Sequence, residues 1–176
     1  MAEPTRLRET QAPLKERYKR EPEAAHVVLH AGSAHSDLGD PIHCAVTPGR
    51  GEVWQSGAHA AVGGAGDVPC SGDLLLAALV ACQEVTLRMV AANMGIEIES
   101  LDVDIEGDWD ARGTLAMGDY PVGLTGIRCR TRVTVKDDGK GDRSARLLRS
   151  AERYCVVLDT LRRGVPVDAT FELTTS

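Results

Sequence analysis

Apolar residues recur along this chain in two rhythms, one of period two and one of three to four, and the changes between them mark out its elements. His26-Val27-Val28-Leu29-His30 predicts a first strand. Ile42–Thr47 and Glu52–Gln55 flank Pro48-Gly49-Arg50-Gly51, a strand, turn, strand pattern that predicts a hairpin. Residues 57–68 are glycine-rich but lack the lysine of a phosphate-binding loop, so they predict a plain connection. A helix follows, with Ser71 as N-cap and Gly95 as C-cap. Between Leu74 and Val85 its surface is apolar almost all round, broken by Cys82 and Gln83, which is the pattern of a buried central helix. Gln83, Glu84 and Arg88 interrupt it too soon for a membrane span.

Leu101, Val103 and Ile105 then alternate with Asp102, Asp104 and Glu106, and residues 127–135 alternate as cleanly. Two half-buried antiparallel strands are predicted there. Cys129 falls on the face of Ile127 and Val133, and Cys44 points inward from its own strand, so both are expected in the core. Leu147, Ala151, Cys155 and Leu158 recur at three- and four-residue steps, predicting a second long helix from about Asp142 to Arg163. Gly164 and Pro166 end it, and Val167–Leu173 predicts a closing strand. The order β-β-β-α-β-β-α-β implies an α+β fold.

Composition changes this picture in a few places. Two Trp, three Tyr and one Phe leave the core to be built from Leu, Val, Ile and Ala. A net charge of -6 argues against a nucleic-acid surface, and no membrane partner is expected. The start of the chain has no apolar signal segment, and five cysteines, an odd number, suit free thiols in a reducing cytoplasm. No CxxC pair is present and the five histidines lack a carboxylate pattern, so neither a metal nor a cofactor is expected. Residues 1–24 read as a charged, solvated arm with one short helix around Leu14–Lys19, ahead of a single domain at 25–176.

Candidate chemistry centres on Cys82 and Cys155, one in each long predicted helix. Taken singly, a buried free cysteine is an ordinary core residue. Two of them in helices that must pack on each other can also come within disulfide range. Both readings stand on the residues alone. Reactivity would require something that lowers the thiol pKa.

Leu-Leu-Leu-Ala-Ala-Leu-Val-Ala-Cys82-Gln-Glu-Val-Thr-Leu, the alternating strands after it, and Ala151-Glu152-Arg153-Tyr154-Cys155-Val156-Val157 together resemble the OsmC/Ohr family over roughly residues 40–173. That resemblance implies antiparallel sheets around two long core helices carrying the cysteines, in an intertwined homodimer. It implies a thiol-dependent peroxidase acting on organic hydroperoxides, with Cys82 as peroxidatic and Cys155 as resolving cysteine. A dithiol reductant, such as a lipoyl group or small thiol, would restore the pair. Arg50 matches the family's hairpin arginine and is the expected cation for the thiolate. Leu79, Val85, Met89 and Tyr154 are expected to line an apolar substrate pocket. One position departs from the family: the glutamate ahead of the central helix is replaced by Gly72, with Asp73 one residue along. The alternative is a non-catalytic, redox-responsive or small-ligand-binding dimer of the same fold.

Overall fold

The computed structural model describes residues 4–136 and 141–175. Its spine is helix α2, Ser71–Met94. Cys70, not Ser71, caps it: its backbone N–H donates to the Asp73 carboxylate at 2.9 Å, which also holds that carboxyl below its usual range. At the other end Gly95 takes the left-handed conformation at φ 67°, and the Gly95 and Ile96 N–H groups donate to Ala92 and Ala91. By length and composition α2 could cross a bilayer, but core helices pass that test too, and Leu79, Leu87 and Ala91 are buried against neighbouring elements.

The long antiparallel pair β4 (Ile98–Asp108) and β5 (Gly126–Val135) packs beside α2, where it was expected. Its outer face is a ladder of opposite charges. Arg132 donates to Asp102 at 2.7 Å, and Arg128 bridges Glu106 at 3.2 Å and also Asp108. These cross-strand partners reinforce the register in which Leu101, Val103 and Ile105 face inward. The short helix α3, Ala111–Thr114, joins the two strands.

Helices α4 (Gly141–Tyr154) and α5 (Val156–Arg163) pack against α2. They replace the single helix predicted from about Asp142 to Arg163. Cys155 lies between them in extended conformation, φ -76° and ψ 104°, and starts α5 instead of continuing α4. Two apolar clusters result. Leu87, Ala91, Leu147 and Ala151 form one, and Leu79, Cys155 and Leu158 the other, with Cys82, Ile105 and Ile127 around it.

The amino-terminal third differs most from expectation. The charged arm is mostly exposed, as expected, but folds as one long helix α1, Pro4–Arg20, rather than a short one around Leu14–Lys19. Arg8 donates to the Ala92 carbonyl and Asn93 to Gln11, each at 2.9 Å, so the first half of α1 docks on the end of α2. The first strand is β1, Ala31–Ser33, not residues 26–30. It pairs with β2 (His43–Pro48), which forms the expected hairpin with β3 (Trp54–Gly57). Linker residues hold this sheet to α2: Gly57 bridges Cys70, and buried Ser56 donates to the Pro69 carbonyl at 2.9 Å.

Two apolar segments stand unpaired. Val27–Leu29 and the predicted closing strand 167–173 are exposed, Phe171 at 95%. Among the described residues neither has a neighbouring strand, and an isolated strand cannot satisfy its backbone. Cys44 and Cys129 are exposed as well, not core residues. The Leu75, Val85, Met89 side of α2 is likewise open, so α2 is buried on one face and not all round.

Candidate functional site

The break at Cys155 builds the site. Ending α4 and restarting the chain as α5 frees the first N–H groups of the new helix, which have no carbonyl partner inside it. Val157 N–H donates to the Cys82 sulfur at 3.5 Å. The Thr86 hydroxyl, one turn along α2, lies 4.0 Å from the same sulfur. Cys82 also packs against the cluster that holds the buried Cys155, and both cysteines are free. The pair thus sits at a helix N-terminus, where partial positive charge favours an anion.

Electrostatics split the two thiols. Burial pushes Cys82 upward, but hydrogen bonds from Val157 N–H, the Cys155 thiol, the Thr86 hydroxyl and Val156 N–H outweigh it. Cys82 is therefore held below the ordinary thiol value without a cation. Burial raises Cys155 to about 11, and the adjacent Cys82 adds to that against the opposing Leu158 and Val157 N–H groups. Cys155 is fully buried, while Cys82 is only partly so. An acidic, reachable thiol beside a buried one that keeps its proton suits a nucleophile with a neighbouring donor.

The other expected site residues divide. Leu79 is buried against Cys155 and Leu158. Val85 and Met89 lie on the Cys82 side of α2 but are exposed, and Tyr154 is exposed under the Arg153 guanidinium, 5.6 Å away. Within one chain they line an open stripe, not the expected closed pocket. Arg50 is exposed in the β2–β3 turn and is not among the groups shifting either thiol. Glu84 pairs with Arg88 at 3.3 Å. Cys70 lies twelve residues before Cys82, about 18 Å along α2.

The closed space is elsewhere. A cavity of about 230 Å³ lies between α2, β5 and α4–α5, lined by Gln83, Leu87, Cys129, Thr131 and Leu148. Gln83 accepts from Thr131 at 2.7 Å inside it, and Arg162 donates to Glu152 at 2.7 Å near its mouth. Among the described residues no cluster of three or more His, Cys, Asp or Glu side chains could hold a metal. Residue spacing missed the most important donor, Val157, because it acts through its backbone N–H. Thr86 could have been found, since it stands four residues from Cys82 on one helix face.

Fold and site together define an α+β protein with two free cysteines packed together at the start of a helix, one of them accepting from that helix's first N–H groups. The profile of OsmC-like proteins matches residues 64–170, and the chain belongs to that family. Solved structures agree in fold. An OsmC-like protein of unknown function from Vibrio cholerae superposes with TM-score 0.62 at 13% identity, covering 77% of this chain and 94% of that one. An OsmC-like protein from Mycoplasma pneumoniae gives 0.59 at 16% identity, covering 79% and 89%. An organic hydroperoxide resistance protein, OsmC, from Legionella pneumophila gives 0.57 at 20% identity, covering 78% and 91%. A search of curated proteins found no match.

Proposed function

We propose that the protein is a dithiol peroxidase that reduces organic hydroperoxides. The Cys82 thiolate attacks the terminal peroxide oxygen and the O–O bond breaks. The alkoxide takes a proton and leaves as an alcohol, and Cys82 becomes a sulfenic acid. The Cys155 sulfur, giving up its proton, attacks the sulfenic sulfur. Water leaves and the Cys82–Cys155 disulfide forms. A dithiol reductant, a lipoyl group or small thiols, returns both cysteines to the thiol state by exchange. The observation that carries this reading is geometric: the Cys82 sulfur accepts from Val157 N–H at 3.5 Å at the start of α5 and packs against the cluster that buries Cys155.

A homodimer completes the site in this reading. The open stripe of Leu75, Val85 and Met89 surrounds Cys82, and an apolar wall from a second copy would close it into a substrate pocket. The unpaired segments 27–29 and 167–173 supply strands for exchange between copies, and the Arg50 turn of the second copy is the candidate cation. The position of Gly72 fits the same arrangement. Ten residues before Cys82, it lies about 15 Å away along its own helix, so a carboxylate there could serve only the other copy's thiol.

Peptide mass spectrometry after one equivalent of cumene hydroperoxide tests the reading. Loss of two hydrogens with a Cys82–Cys155 crosslink is expected, abolished in Cys82→Ser and retained in Cys44→Ser. Equal peroxide consumption by both variants would overturn it. The second reading, a non-catalytic small-ligand-binding dimer, draws on the missing carboxylate at Gly72 and on the cavity beside Gln83 and Thr131. Thiols that persist under peroxide would favour it.

A further inference from the structure

The protein is acidic overall, yet α1 carries six cations, Arg6, Arg8, Lys15, Arg17, Lys19 and Arg20, against two carboxylates, Glu9 and Glu16. Their placement is ordered. At about 100° per residue, Leu7, Gln11, Leu14 and Tyr18 share one face. Arg6 and Arg17 flank that face on one side, and Arg8, Lys15 and Lys19 on the other, while Arg20 lies toward the back. Glu9 and Glu16 lie on the back.

Among the described residues, the hydrogen bonds that tie α1 to α2 come from its first half. Leu7 and Gln11 are half-buried, and Arg8 and Gln11 hold the end of α2. Pro13, which lacks an N–H, marks the point where that docking ends. Beyond it Leu14 and Tyr18 remain 40% and 36% exposed. Hydrogen bonds from side chains after Pro13 stay local, Lys19 to Glu16 and Arg17 to Glu21.

We infer that the second half of α1 docks on an anionic lipid bilayer. Leu14 and Tyr18 enter the headgroup boundary while Lys15, Arg17 and Lys19 meet lipid phosphates on either side. Apolar residues between two cationic flanks, with Glu9 and Glu16 on the back, suit a bilayer, where Lys19 and Arg17 would exchange their exposed pairs with Glu16 and Glu21 for lipid phosphates. A nucleic-acid backbone would need the cations but not the apolar centre. This reverses the expectation of no membrane partner. It stands on α1 alone and is independent of the thiol chemistry.

Sedimentation of the full chain with vesicles provides the test. Binding to phosphatidylglycerol–phosphatidylcholine vesicles at low salt is expected, with loss at high salt and on phosphatidylcholine alone. The triple variant Lys15→Glu, Arg17→Glu, Lys19→Glu should bind at least about tenfold more weakly. Leu14→Ala with Tyr18→Ala, at unchanged charge, should also weaken binding. Far-UV circular dichroism establishes that each variant is folded. If the triple variant is not, the milder Lys15→Gln with Lys19→Gln must show the loss. No binding of the native chain to anionic vesicles would overturn the inference. So would undiminished binding by the charge variants, or displacement from vesicles by an equal charge of duplex DNA.

Discussion

Cys82 owes its acidity to neutral hydrogen-bond donors, and this has consequences that can be measured residue by residue. Its thiolate fraction rises with pH and levels off once pH passes a pKa below the ordinary thiol value, while Cys155 keeps its proton up to about pH 11. Iodoacetamide labelling across pH should therefore find Cys82 reacting first and Cys155 last. Reversal of that order would contradict the site as described. Thr86→Val removes one donor and should raise the Cys82 pKa by up to about one unit, read from the same labelling profile. Gly72→Glu asks a different question. A Cβ at Gly72 meets only the Cys70 sulfur, at an ordinary 3.5 Å, so the variant should fold with stability changed by less than about 0.5 kcal/mol. If the family's carboxylate assists turnover, peroxide consumption should rise in this variant.

At the scale of elements, the interruption between α4 and α5 matters more than either helix. Val156 is the first residue of α5 and follows extended Cys155, which is where proline is tolerated. Val156→Pro removes one N–H acting on Cys82 and leaves the helix start intact. The Cys82 pKa should rise while circular dichroism stays unchanged. Leu147→Ala is the opposite case. Leu147 is buried between α4 and α2, away from the thiols, so truncation should cost about 2–5 kcal/mol in urea unfolding. The order of thiol reactivity should survive it. The β4–β5 strands were legible from the sequence because apolar and polar residues alternate along each; that acidic residues on one face basic residues on the other came only with the register. Helix α1 was only partly legible, since its charges are those of a solvated tail and its docking depends on carbonyls at the far end of α2.

For the whole molecule, the exposed apolar segments and the open side of α2 set the expectation of a dimer. Light scattering should give twice the chain mass, and Val167→Asp with Phe171→Asp should reduce it toward a monomer with less active Cys82. Local pattern alone determined the α+β class, the hairpin, the central helix and its glycine stop, because each depends on residues a few positions apart. The pairing of Cys82 with Cys155 entered through resemblance to a family, which carries information about distant contacts that spacing does not. Only the tertiary structure decided that Cys155 breaks a helix, that freed backbone N–H groups face Cys82, and that Cys129 is exposed. Strand pairing was undecided for the same reason: Val167–Leu173 has a strand's alternation, but a strand exists only where a neighbour accepts its hydrogen bonds. Backbone donors are the same in every residue except proline, so where they point is written in the fold and not in the side chains.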